Sequence, residues 1–274
     1  MPRKNIMLLL LLMSLAAVVL LAGCAKEPAE NDGVDSSLTR IQEQGYFVVG
    51  LDDAFPPMGF REQGTNEIIG FDIDLAKAVA ERMGVEAQFT PVIWDTIGDT
   101  LNKGDIDVIW NGCTITEPRL EIMNFTKPYL GNRQIIIVQK DSPITAKTDL
   151  AGKTIGLQAG SSAKIAVEKD APTYESFGRL VEFTSNDEAL LDLGAGRLDA
   201  VVVDEVVGRY YTTLKPDTYT VLTEDFGDEE YGVGVRKADE AFLAELNKTL
   251  DAMKEDGTAA QISEKWFGED IIAR

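Results

Sequence analysis

Twelve residues near the middle of the chain, Ile109-Trp-Asn-Gly-Cys-Thr-Ile-Thr-Glu-Pro-Arg-Leu120, pass from an apolar strand-like run through small polar residues to an arginine. Arg119 is either ordinary loop surface or a charge reserved for a ligand. Three other apolar runs end in a similar way, at Asp52-Asp53, at Gln158-Ala-Gly-Ser161-Ser162 and at Val203-Asp204. In α/β sheets ligands bind beyond the carboxyl ends of the strands, so two such sheets facing each other would line one cleft with these four loops. The chain has no histidine. That removes Ser-His-Asp and Cys-His catalysis and argues against a zinc or copper site. No P-loop is present, and Gly194-Ala-Gly196 is only part of a dinucleotide fingerprint, ahead of a strand instead of after one. No metal or cofactor is expected. Cys113 reads as a small apolar packing residue.

The ends of the chain say where it works. Arg3 and Lys4 precede an uncharged apolar run over residues 6–21, the pattern of an export signal. Sixteen residues fall short of the roughly twenty that cross a bilayer. The run closes at Leu21-Ala-Gly-Cys24, which resembles the bacterial lipobox. That resemblance implies cleavage after residue 23 and acylation of Cys24, palmitate included. Residues 24–37 then form a polar tether that buries too little apolar surface to order itself. The acyl chains anchor the protein to a membrane on its extracytoplasmic side. With Cys24 acylated only Cys113 remains, so no internal disulfide forms. The formal net charge of −20, made more negative by loss of Arg3 and Lys4, argues against nucleic acid as a partner.

The mature chain keeps roughly 250 residues, enough for one large domain or two ordinary ones. Strand-like and helix-like segments alternate, the pattern of α/β layers. Phe47-Val-Val-Gly-Leu51 reads as a strand, and residues 72–83 as a helix with Ile73, Ala76, Ala80 and Met83 on one stripe and Gly84 as its stop. A faint repeat runs through the chain. Leu101-Asn-Lys-Gly104-Asp-Ile-Asp107 matches Leu193-Gly-Ala-Gly196-Arg-Leu-Asp199, and Val48-Val-Gly-Leu-Asp52 matches Thr154-Ile-Gly-Leu-Gln158. In both copies a helix is expected to stop at glycine and feed a buried strand. Two matches in the same order predict two α/β lobes of one plan, with Asp107 and Asp199 as turn or solvent residues.

The run Gly70-Phe-Asp-Ile-Asp74-Leu-x-x-x-Val79-Ala80-x-x-Met83 resembles the signature of the bacterial extracellular solute-binding proteins family 3, the amino-acid-binding subunits of ABC importers. Asn111-Gly-Cys-Thr-Ile-Thr-Glu-Pro-Arg119, Asn124-Phe-Thr-x-Pro-Tyr129 and Lys265-Trp-Phe-Gly268 extend the resemblance over most of the mature chain. It implies a periplasmic-binding-protein-like type II fold, two α/β lobes joined by a two-segment hinge. Lobe 1 would take residues 38–131 and 226–274 and lobe 2 residues 132–225, with crossovers near residues 129–131 and 226–231. It also implies a monomer that binds an L-amino acid, works with ABC permease subunits and catalyses nothing.

The resemblance assigns roles as well. The Arg119 fork would pair with the ligand carboxylate, helped by Thr114, by the Gly112 carbonyl and by the Ser161-Ser162 backbone at a strand-to-helix turn. Asp204 would accept from the α-ammonium; its structural alternative is a helix cap. Phe55 and Trp94 would sandwich the side chain, with Gln158 and Val203 as tuning positions. Asp52 would meet the distal end, which favours arginine, lysine or ornithine, with glutamine or cystine as alternatives. An enzyme resembling cyclohexadienyl dehydratase on the same fold is the alternative of another class. The acidic run over residues 224–230 reads as a solvated face.

Overall fold

In a computed structural model, residues 35–273 are described; the export signal, Cys24 and most of the tether lie outside them. The tether expected up to residue 37 ends earlier, because Ser37 opens the first helix, α1 (Ser37–Gln44). The carboxylate of Asp35 accepts from Ser37 N at 2.8 Å and from Ala241 N, and Ser37 Oγ accepts from Phe242 N at 3.1 Å. Burying Ile41 beside Phe242 gives this end of the chain a reason to order.

Among the described residues thirteen strands follow: β1 (Tyr46–Leu51), β2 (Ala54–Phe55), β3 (Gly59–Arg61), β4 (Ile68–Ile69), β5 (Glu86–Pro91), β6 (Val108–Ile109), β7 (Met123–Phe125), β8 (Leu130–Gln139), β9 (Thr154–Gln158), β10 (Arg179–Phe183), β11 (Ala200–Asp204), β12 (Tyr219–Tyr231) and β13 (Gly234–Arg236). They form a sheet of order β5-β1-β6-β13-β7, a second of order β10-β9-β11-β8-β12, and a small three-stranded sheet of β2, β3 and β4. In the first large sheet β1 runs parallel to β5 and β6, and β13 is antiparallel. In the second β9 runs parallel to β10 and β11, and β8 is antiparallel. One plan occurs twice, as the repeat predicts, and the architecture is two α/β lobes of the type II periplasmic-binding kind.

The repeat has a physical cause. Gly50 of β1 lies beside Ile106, where a Cβ would come within 2.3 Å of Ile106 Cδ1. Gly156 of β9 lies beside Leu198, where a Cβ would come within 2.4 Å of Leu198 Cδ1. Each glycine lets the residue that enters the next parallel strand pack flat on its neighbour. In the first copy the helix stops as expected at left-handed Gly104, whereas in the second it ends at Gly194 with Ala195 as its cap and left-handed Gly196 just beyond. The helix α2 (Phe71–Met83) begins one residue before the expected start and ends at left-handed Gly84, whose N–H donates to the Ala80 carbonyl. Its buried face is Phe71, Ile73, Leu75, Ala76, Val79 and Ala80. Asp74 accepts from Trp266 Nε1 at 2.7 Å and pairs with Lys265 at 2.7 Å, tying the C-terminal helix to α2.

The expectation for Asp107 is corrected. It is 5% exposed, accepts from Val48 N at 3.0 Å, and pairs with Arg40 at 2.8 Å and Arg236 at 2.9 Å. Burial works to raise its carboxyl, but the Val48 N–H and the two guanidiniums outweigh it and hold the group below its ordinary value. Asp199 is half-buried and accepts from Thr154 N at 2.7 Å, the equivalent contact in the second copy.

The lobes are joined where β8 and β12 leave the second sheet together. These strands pair antiparallel from Tyr219↔Gln139 to Tyr231↔Leu130, with register shifts between Val221 and Asp228. Tyr129 N donates to the Tyr231 carbonyl at 3.0 Å, so the two crossing segments brace each other. Among the described residues no helix is long and apolar enough to cross a membrane.

Candidate functional site

The four strand-end loops meet where the sheets face each other. Asp52, at the end of β1, is 8% exposed; its Oδ1 accepts from Ala54 N at 2.9 Å and its Oδ2 from Gln158 Nε2 at 2.6 Å. Burial raises its carboxyl above the ordinary value against the pull of those two donors, with the charges of Asp53 and Asp187 adding to the rise. Gln158 ends β9 in the other lobe, so this contact spans the cleft. Its amide is fully engaged, since Nε2 also donates to the Thr184 carbonyl and Oε1 accepts from Asn186 Nδ2 at 2.9 Å.

A second cross-cleft contact joins Thr114 Oγ1 to Ser162 Oγ at 3.0 Å. The loop carrying Thr114 turns at Gly112, which is left-handed (φ 58) and whose N–H donates to Asp72 Oδ2 at 2.7 Å. A Cβ on Gly112 would meet Phe55 Cε1 at 2.8 Å, so the turn, the ring and the aspartate form one packed unit. Asp72 is wholly buried, also accepts from Tyr129 Oη at 2.9 Å, and is pushed up to about 7 by burial. Ser161 Oγ donates to the Gln158 carbonyl at 2.7 Å, and Ser162 opens the helix α5 (Ser162–Lys169); the helices α3 (Ile97–Lys103) and α4 (Glu117–Ile122) lie between it and α2.

Arg119 sits in α4, capped by Thr116, whose Oγ1 accepts from Arg119 N at 3.4 Å. Its guanidinium donates to the Thr114 carbonyl at 2.9 Å and, across the cleft, to the Gly160 carbonyl at 3.0 Å. It lies 5.5 Å from the Trp94 ring centroid, within cation–π reach. It has no acidic partner among the described ion pairs. Phe55 and Trp94 are both buried but belong to different apolar clusters, Phe55 with Trp110 and Tyr129, Trp94 with Ile97 and Leu101.

Asp204 ends β11 and is 4% exposed. It stands at the N-cap position of the next helix, yet its side chain makes no capping bond. Instead Oδ1 accepts from Asn132 Nδ2 at 2.7 Å, Tyr231 Oη at 2.7 Å and Gln134 Nε2 at 3.0 Å. Burial, and after it the charge of Glu229, pushes the carboxyl up to about 7; the Tyr231 hydroxyl and Arg119 pull the other way. Val203 is fully buried.

Sequence reasoning missed Asn132, Gln134 and Glu229. The signal available was the spacing of Asn132 and Gln134, two apart on a strand and so on one face, ahead of the apolar Ile135-Ile-Ile-Val138. Glu229 departs from the solvated reading of the acidic run. It is half-buried, pairs with Asn132 in the β8–β12 register, and its Oε2 accepts from four side chains. A cavity of about 410 Å³ opens beside it, lined by Thr114, Ile115, Pro118, Ile165 and Phe226. Among the described residues no cluster of three His, Cys, Asp or Glu could hold a metal ion.

The family described as bacterial extracellular solute-binding proteins, family 3, matches residues 47–269. The chain is 32% identical over 263 residues to the L-cystine-binding protein TcyJ of Escherichia coli strain K12, covering 95% of this chain and 96% of that protein. It is 36% identical over 226 residues to ABC transporter arginine-binding protein 1 of the same strain, covering 80% and 89%. Among solved structures, an ABC uptake transporter substrate-binding protein from Streptococcus pneumoniae with bound histidine superposes with a TM-score of 0.84 at 35% identity, over 88% of this chain and 99% of that one. The ancestral amino-acid-binding protein AncCDT-1, described as a precursor of cyclohexadienyl dehydratase, superposes with a TM-score of 0.78 at 35% identity, over 85% and 100%.

Proposed function

Because the chain belongs to the bacterial extracellular solute-binding proteins, family 3, we propose that it captures an L-amino acid between its lobes and delivers it to the permease of an ABC importer. One observation carries the reading: two opposite charges face the cleft from different lobes without ionic partners. Among the described residues Arg119 touches only carbonyls, a thiol and a ring. Asp204 is buried among amides and a tyrosine hydroxyl with no basic side chain on it. Charges left this way are costly unless something completes them. A zwitterion does so at both poles, its carboxylate on the Arg119 fork and its ammonium on Asp204. A ligand that touches both lobes favours the arrangement in which they meet.

The side chain of the ligand would run toward Asp52 and Gln158, with Thr114, Ser161, Ser162 and Gly112 around the α-carbon and Phe55 and Trp94 beside it. A buried carboxylate at the far end repels glutamate and aspartate and attracts a cation, and an aromatic face adds roughly 0.5 to 2 kcal/mol for a cationic group. We therefore favour arginine, lysine or ornithine, with glutamine and cystine as the competing ligands. The protein works as a monomer, held to the extracytoplasmic face by lipid on Cys24, and performs no reaction.

Calorimetry of ligand-free protein against all twenty amino acids plus ornithine and cystine tests this. Arg119→Ala should weaken every binding amino acid at least a hundredfold. Asp52→Asn should weaken cationic ligands tenfold or more and spare neutral ones; equal loss for both refutes the cationic assignment. Turnover of prephenate or arogenate would make the protein an enzyme. A Cys24→Ser protein that still incorporates labelled palmitate would remove the anchor.

A further inference from the structure

Glu229 has no part in the reading above, yet it stands at the centre of the site. Its Oε2 accepts from Gln134 Nε2 at 2.9 Å, Ser162 Oγ at 3.0 Å, Asn132 Nδ2 at 3.1 Å and Thr114 Oγ1 at 3.1 Å. Two of those nitrogens, on Asn132 and Gln134, also donate to Oδ1 of Asp204. Two carboxylate oxygens served by the same pair of amide nitrogens are near neighbours. The negative charge of one such carboxylate makes the other hold its proton more tightly, as the Glu229 charge does for Asp204.

A separate observation points to a ligand here. Gln134 is fully buried, and while its Nε2 serves both acids, its Oε1 has no donor. Buried amide oxygens are normally paired. With Asp204 and Glu229 it makes a third acceptor for one N–H-bearing cation, and an ammonium has three N–H bonds.

We propose that Asp204 and Glu229 form a proton-sharing carboxylate pair that exchanges its proton for the α-ammonium of the amino acid. This rests on the amino-acid-binding reading and adds to it a second acid, a third acceptor and a proton count. The exchange balances. The shared proton leaves to solvent, and the ammonium donates one N–H each to Asp204, Glu229 and Gln134 Oε1. The pair carries one negative charge with its proton, and one with both acids ionised and the ammonium bound. No covalent bond of the ligand changes.

The other groups facing the pair do not compete for this role. Tyr231, on β12, and Tyr129, ahead of β8, are both pushed well up by burial and stay neutral. The Cys113 thiol, after β6, is raised by burial despite Arg119 beside it. Arg119 acts as a fixed positive charge. Arg133 and Arg209 are occupied by Glu205, the residue next to Asp204, and Arg133 also by Asp225. Asp72 titrates in the same range as Asp204, but it is bound to Gly112 N and Tyr129 Oη and shares no donor with either acid.

The sign follows from Asp204, whose carboxyl is pushed up to about 7. Above that pH Asp204 is already ionised and binding releases no proton. Below it the ligand must displace one, so affinity falls up to tenfold per unit as pH drops.

The full-length protein, titrated with L-arginine, L-glutamine or L-cystine in two buffers of different ionisation enthalpy, reports the protons released. We expect close to one proton at pH 6.0 and close to none at pH 8.5. Glu229→Gln, which keeps an acceptor oxygen but removes the second charge, should bind about tenfold more weakly at pH 8.5 and release less than half as many protons at pH 6.0. Asp204→Asn should lose binding altogether. Binding with equal heats in both buffers at pH 6.0, or Glu229→Gln with the wild-type proton count, overturns the exchange and leaves amino-acid binding standing. Failure of the wild type to bind any amino acid overturns both.

Discussion

The sheet around β1 and the sheet around β9 meet the same packing problem with equivalent residues and secure it differently. Gly50 with Ile106 and Gly156 with Leu198 are the same device, a missing side chain under the residue that leads into the next strand. The aspartate after that residue then accepts from the first strand in both, from Val48 N and from Thr154 N. Beyond this the copies part. Asp107 is enclosed by Arg40 and Arg236, Arg236 being ion-paired to Asp239 as well, so three segments of the first lobe converge on one carboxylate. Asp199 has no such pair among the described residues. The first sheet draws its strands from two separated stretches of chain, and this charge cluster joins them; the second draws its strands from one stretch and has no seam of that kind among the described residues.

That contrast can be broken by substitution, with thermal or denaturant unfolding as the measurement. Asp107→Asn leaves two guanidiniums facing a neutral amide in a buried setting and should cost about 3 kcal/mol. Asp199→Asn disturbs one backbone contact at a half-exposed site and should cost about 1 kcal/mol. Equal costs would mean that the arginines contribute nothing at the seam. Gly50→Ala and Gly156→Ala should each cost about 1–2 kcal/mol, since the atom met is the end of a flexible side chain. Ile106→Val removes the atom that Gly50→Ala would strike, so the double variant should recover part of the loss; a purely additive result would place the strain elsewhere.

A last comparison takes the two buried aspartates beside the site, one in each lobe. Asp72 and Asp204 both have carboxyls pushed up to about 7, against an ordinary 3.8. Between those values the folded protein holds protons that the unfolded chain has lost, so stability rises as pH falls from 8 toward 5. The slope is at most about 1.4 kcal/mol per pH unit for each group. Asp72→Asn should flatten the part due to the first lobe whether or not ligand is present. Asp204→Asn should flatten the part due to the second. A wild-type protein that loses stability across this interval would contradict both shifts.

Much of this was legible in the sequence because local chemistry repeats. Gly84 and Gly104 stop their helices, and the paired Gly-x-(Ile/Leu)-Asp runs enter parallel strands. Polar strand ends come together as Asp52 with Gln158, Thr114 with Ser162, and Arg119 with Gly160. What escaped depends on long-range register. Glu229 and Asn132 become partners only because β8 and β12 pair across nearly a hundred residues with two irregularities between them. No local pattern encodes that alignment, and Glu229 looks like any other member of an acidic run. The role of Asp107 escaped for the same reason, since Arg40 and Arg236 reach it from opposite ends of the chain.

Gly160 is left-handed, and a Cβ there would come within 2.6 Å of Asp95 Cα, backbone that cannot swing aside. Bulk at this position works as a doorstop. Replacing the glycine with alanine, valine and then phenylalanine would wedge the jaws at progressively wider gapes, a graded set of half-shut receptors cut from one scaffold.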